Sequence, residues 1–97
     1  MQGAMTDRIL FDLAPGFALG FDSEQWMIMK AKTVKGARQW RPVKFIGSDK
    51  LVLLAWLGRL GVTPNPRAAE LLGQLPTAFL DWKAAGFPMP VAARLAA

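Results

Sequence analysis

QWMIMKAKTVKGARQWRPVKFI, residues Gln25 to Ile46, concentrates both a sheet core and most of the charge of the chain. Aromatic and β-branched residues lie at both ends and a Lys35-Gly36 pair at the middle, so it reads as two strands, Trp26 to Lys32 and Gln39 to Ile46, joined by a turn. It holds Lys30, Lys32, Lys35, Arg38, Arg41 and Lys44 and no Asp or Glu. A basic hairpin with a Trp on each arm is therefore the main functional candidate.

Alternate residues of a strand face opposite sides of the sheet. On the first arm Met27, Met29 and Ala31 form a wholly apolar face, the expected core side, while Trp26 and Ile28 share the other face with Lys30 and Lys32. The second arm is mixed on both sides. If Val43 and Phe45 turn inward beside the methionines, then Trp26, Trp40, Ile28, Lys30, Lys32 and Lys44 line the outer face. Ammonium groups for phosphate and flat rings for bases are what a nucleic-acid strand favours. The plainer reading is that the tryptophans are core and the lysines are a solvated edge that discourages foreign strands. Pro42 cannot donate a ladder hydrogen bond, which places this arm at a sheet edge or at a bulge.

Working outward toward the N-terminus, Ile9, Phe11 and Leu13 alternate with Arg8 and Asp12 as on a half-buried strand, Ala14-Pro15-Gly16 is a turn, and Phe17, Leu19 and Phe21 give a second strand. Between them sit Ala18 and Gly20, small enough for close packing. Asp22-Ser23-Glu24 turns into the hairpin. An antiparallel sheet of three or four strands follows. Met1 to Ala4 show no pattern and read as additions ahead of a natural start at Met5.

Toward the C-terminus the period changes. Ser48 or Asp49 caps a helix over about Lys50 to Leu60, and Gly61 stops it. This helix is apolar all round, so it is either sandwiched by the helices that follow or forms an interface through Val52 and Trp56. Asn65 and Pro66 open a second helix with a stripe of Ala68, Leu71, Leu72 and Leu75. Pro76 starts a third, running to about Ala85 with Phe79, Leu80 and Trp82 as its large residues and Gly86 as its stop. Phe87-Pro88-Met89-Pro90 is extended, folding back on the core or offering Phe87 and Met89 to a partner. The expected architecture is one α+β domain over 5–97, with a sheet in 5–47, two or three helices packed on one face in 48–86 and a proline-containing tail in 87–97.

A Trp-bearing strand, a Lys/Gly turn, the W-x-P-V-x-F-I run and a Leu-rich helix resemble small phage or prophage proteins of unknown function, which often run hairpin then helix. The matching residues are Trp26, Ile28, Gly36, Trp40, Val43, Phe45 and Ile46, with Leu51 and Leu54 in the helix. The resemblance covers about half the chain, implies an accessory role in a phage or mobile-element setting, and carries over no site residues.

Composition narrows the chemistry. The 97 residues are 53% hydrophobic, enough for one modest core. There is no apolar run of roughly 18 residues and no signal-peptide pattern, so a soluble cytoplasmic protein with no membrane association is expected. Residues 1–24 carry net −3, residues 25–50 net +6 and residues 51–97 net +2, which is a basic patch and not merely a basic average. His, Cys and Tyr are absent, removing the commonest general base, the best nucleophile and the usual soft metal ligands. Asp22, Glu24 and Asp49 are the nearest approach to a Mg²⁺ set, but their spacing matches no metal loop, and they read better as turn and cap residues. Ser23 and Ser48 have no base beside them, and the glycines form no phosphate-binding fingerprint. The expectation is a non-enzymatic module with no cofactor. In one form it binds DNA or RNA through Lys30, Lys32, Lys35, Arg38, Arg41 and Lys44 with Trp26 or Trp40 stacking. In the other it is a protein-interaction module, an inhibitor or adaptor of a host complex or a homodimer, using Val52, Trp56, Phe87 and Met89.

Overall fold

The computed structural model describes residues 8–88. Four antiparallel strands in sequential order, β1 (Arg8–Ala14), β2 (Phe17–Phe21), β3 (Trp26–Val34) and β4 (Ala37–Gly47), are followed by three helices, α1 (Lys50–Leu60), α2 (Pro66–Gln74) and α3 (Phe79–Ala84). This is a small α+β fold built on a four-stranded meander.

Local chemistry sets each turn. Ala14 pairs with Phe17 across Pro15-Gly16, with Gly16 at φ 81°. Val34 pairs with Ala37 across Lys35-Gly36, at φ 53° and 82°. Two positive φ values in a two-residue loop mark a type I′ turn, whose twist matches that of the strands it joins. Between β2 and β3 the Asp22 carboxylate accepts from the backbone N–H groups of Glu24 (2.7 Å) and Gln25 (2.9 Å). The helix ends follow the same logic. Asp49 accepts from the Leu51 N–H at 2.8 Å, Asn65 accepts from the Ala68 N–H at 2.8 Å, and Gly61 closes α1 in the left-handed conformation.

The helices pack on the sheet face that carries Trp26 and Ile28. Phe11, Leu19, Phe21, Trp26, Ile28 and Ile46 from the sheet meet Leu53, Leu57, Ala68, Leu71, Leu72, Leu75, Phe79 and Trp82 from the helices. At its centre is an aromatic group: Trp26 lies edge-on to Phe79 at 5.3 Å, Phe21 edge-on to Trp82 at 4.9 Å, and Phe87 stacks on Phe21 at 5.6 Å. The Trp82 Nε1–H donates to the Pro88 carbonyl at 2.7 Å, which ties the segment after α3 to this group. The opposite sheet face carries a smaller cluster of Ala18, Met27 and Met29, with Ile9 and Trp40 packed against it. Small residues make room there, since Gly20 pairs with Met27 and Ala18 with Met29.

Three sequence expectations change. The helix-covered face is that of Trp26 and Ile28, not that of the methionines, because β3 is buried on both sides over Trp26–Met29 and alternation carries no sign there. α1 is not sandwiched: Leu53 and Leu57 are buried, but Leu51, Val52, Leu54 and Leu60 are exposed. α3 begins at Phe79 and not at Pro76. The Lys50 N–H bonds the Thr77 carbonyl, the Phe79 N–H bonds the Ser48 carbonyl, and Asp49 bridges Ala78, so residues 77–78 are held extended before the helix can start.

Candidate nucleic-acid interface

β2 ends at Phe17, which pairs with Lys30, and the Ala31 N–H donates to the Gly16 carbonyl at 2.8 Å. Beyond that bond β3 and β4 continue by themselves, and Lys32 to Gln39 forms a two-stranded ribbon past the end of β2. Every ribbon residue except the half-buried Val34 is exposed.

Register assigns the faces. Lys30 pairs with Arg41, Lys32 with Gln39, and Ile28 with Lys44, so Lys30, Lys32, Arg41 and Lys44 share the helix-side face. Trp40 pairs with Ala31 and Arg38 with Thr33, which puts both on the opposite face. The change of phase is a bulge: Ile28 meets Lys44 while Met29 meets Pro42, leaving Val43 as the extra residue. Counting by twos along β4 therefore fails at Val43, and Trp40 does not join Lys44. Pro42 is both on an edge strand and beside a bulge. Since the Ala31 N–H points to β2, its partner Trp40 turns its backbone polar groups outward, and so does Pro42 two residues on, where a missing N–H breaks no ladder bond.

The six cations sort accordingly. Lys30, Lys32 and Arg41 are exposed and, with Ala31 and Val43, line an open depression of about 370 Å³. Lys30 Nζ lies 5.8 Å from the centre of the Phe17 ring. Lys44 is half-buried with its Nζ 3.9 Å from the centre of Trp56, a ring that Arg59 also approaches at 5.2 Å. Arg38 stacks on Trp40 at 4.8 Å on the far side, and Lys35 sits at the tip of the turn. Lys50, also basic, is turned inward: its ammonium donates to the Leu72 (3.1 Å) and Leu75 (2.6 Å) carbonyls at the end of α2.

No protein-family model matches this chain, and no curated protein or solved structure matches it either.

Two proposed contacts are removed by that geometry. Trp26 has 0% exposure and lies beneath the helices, so it cannot stack on a base. Phe87 is half-buried against Phe21, Trp82 and Phe79, which makes it part of the chain's own core and not an open interface residue. Met89 lies outside the described residues. Trp56 is half-buried under two cations, whereas Val52 beside it is exposed. Phe17 and Arg59 are additions that sequence reading missed. Phe17 was legible once its cross-strand partner Lys30 was known; Arg59 follows from its i, i+3 spacing to Trp56.

One pairing has an energetic meaning. Lys30 and Arg41 are direct cross-strand partners of like charge, an arrangement that destabilises a sheet. With no acid anywhere in the hairpin, the repulsion is not offset within it. Among the described residues no group of three or more His, Cys, Asp or Glu gathers to hold a metal ion, and no helix is long and apolar enough to cross a membrane.

Proposed function

We propose that this chain is a small non-enzymatic module that binds nucleic acid through the helix-side face of the β3–β4 hairpin. The observation that carries the reading is the Lys30/Arg41 pair, set in a row with Lys32 and Lys44 on one face. A local arrangement that works against the fold is retained most readily where it serves a ligand, and here the ligand that relieves it is polyanionic. The role of Lys30, Lys32, Arg41 and Lys44 is phosphate contact. The rings beside this row are the half-buried Phe17, 5.8 Å from Lys30 Nζ, and the half-buried Trp56, 3.9 Å from Lys44 Nζ, while Trp40 lies on the opposite face beside Arg38. The test is the salt dependence of oligonucleotide binding. With about four phosphate contacts the logarithm of affinity falls against the logarithm of salt with a slope of roughly −3 to −4. A slope near zero, or no binding at low salt, ends the proposal.

A second reading rests on α1, where Leu51, Val52, Leu54 and Leu60 are exposed together with Ala55 and Gly58. An apolar helix face of this kind suits a protein partner or a second copy of the chain. Under this reading Leu54→Glu abolishes any concentration-dependent increase in mass seen by sedimentation. A strictly monomeric wild-type protein removes the homodimer form.

A further inference from the structure

Resting on the nucleic-acid reading, we propose that the free ribbon from Lys32 to Gln39 enters the major groove of duplex DNA tip first. Past the Gly16 carbonyl each arm has three residues, Lys32–Val34 and Ala37–Gln39, before the two-residue turn. At about 3.3 Å per residue that is roughly 10 Å of reach. The major groove is about 8.5 Å deep and about 12 Å wide, and it admits a two-stranded ribbon. The tip is narrow because the type I′ turn has two residues, one of them Gly36.

Charge placement separates a groove from a flat strand. A single strand lying on the sheet would use cations of one face. The ribbon instead has Lys32 on the helix-side face with Lys30 and Arg41 at its root, Arg38 on the opposite face, and Lys35 at the tip. A groove presents a phosphate wall on each side, and cations on both faces complement it. Thr33, exposed one pair nearer the turn than Lys32 and Gln39 and on the face opposite them, supplies a hydrogen-bonding group toward the base edges. An RNA duplex does not offer this fit, since its major groove is deep and too narrow for side chains to read.

The experiment measures fluorescence anisotropy of labelled DNA duplex, RNA duplex of the same sequence and the single DNA strand, at fixed low salt, with the wild-type chain. Binding to the DNA duplex is expected to be at least about tenfold tighter than to the other two, with competition from the major-groove dye methyl green and not from the minor-groove ligand netropsin. Arg38→Gln and, separately, Lys35→Asn, both at exposed positions, each reduce the magnitude of the duplex salt slope by about 0.9. Equal affinity for the single strand or RNA duplex, or unchanged slopes in both variants, overturns groove entry while leaving hairpin binding intact. Absence of binding to all three overturns both proposals.

Discussion

The Lys44 ammonium lies 3.9 Å from the centre of the Trp56 ring, so a β4 side chain is clasped to the single aromatic of α1, which is half-buried. The contact joins the basic face to the helix layer and fixes where that face ends. A cation held over Trp contributes about 0.5–1 kcal/mol at a partly exposed site. A double-mutant cycle of Lys44→Gln and Trp56→Leu, read by urea denaturation, is expected to show a coupling of that size. Strict additivity would mean that the two groups do not act on one another.

Lys50 separates structural from functional charge. Its ammonium satisfies the Leu72 and Leu75 carbonyls at the end of α2. Lys50→Met removes this cap and is expected to cost about 1–2 kcal/mol in chemical denaturation, since bonds to a charged donor are stronger than neutral ones. Oligonucleotide affinity of the folded variant should stay near wild type.

The two buried tryptophans respond differently to the same substitution. Trp82 Nε1–H has a partner in Pro88, whereas Trp26 Nε1–H is buried and has none among the described residues. Both lose similar volume on conversion to Phe. Trp26→Phe also removes an unsatisfied donor, so it should be less destabilising than Trp82→Phe by about 1 kcal/mol or more. The comparison needs only the two melting curves.

Much of the fold was legible because its signals are local. Alternation at Phe17, Leu19 and Phe21, the Pro15-Gly16 and Lys35-Gly36 turns, and the caps at Asp49, Asn65 and Gly61 each point to one structure, whereas Ile9, Phe11 and Leu13 mark a strand but not one face, because register shifts in β1 put Ile9 against the methionines and Phe11 and Leu13 in the helix-side core. The faces of the central hairpin were not legible. Trp26, Met27, Ile28 and Met29 are all buried, which erases the contrast that alternation depends on, and the bulge at Val43 reverses the phase of β4 without any marker beyond Pro42. Hence alternation groups Lys30, Lys32 and Lys44 on one face, as the register does, but it also joins Trp26 to Trp40, which lie on opposite faces. The exposed face of α1 was obscured for a related reason: Leu occupies both buried and exposed positions, so periodicity does not choose between them.

The turn is adjustable. Lys35 holds φ at 53°, a left-handed conformation that costs a residue with a Cβ about 1–2 kcal/mol, and Asn tolerates it better. Lys35→Asn is expected to raise stability by about 0.5–1 kcal/mol, or a few degrees in Tm. The same change weakens DNA binding if the tip enters the groove. A stabilised variant that binds less well is the combined signature.

Two charge-matched double variants, compared in one oligonucleotide salt titration, separate a binding site on the hairpin from general positive charge. Lys30→Gln with Arg41→Gln empties the centre of the basic face, while Arg67→Gln with Lys83→Gln removes equal charge from exposed positions on α2 and α3. The hairpin variant is expected to reduce the magnitude of the salt slope by about 1.4–1.8, with the control near wild type. The hairpin variant is also expected to be more stable than wild type by about 0.2–1 kcal/mol, because the like-charged pair is gone. Equal loss of binding in both variants would overturn hairpin binding, reducing the hairpin cations to general charge with no site among them.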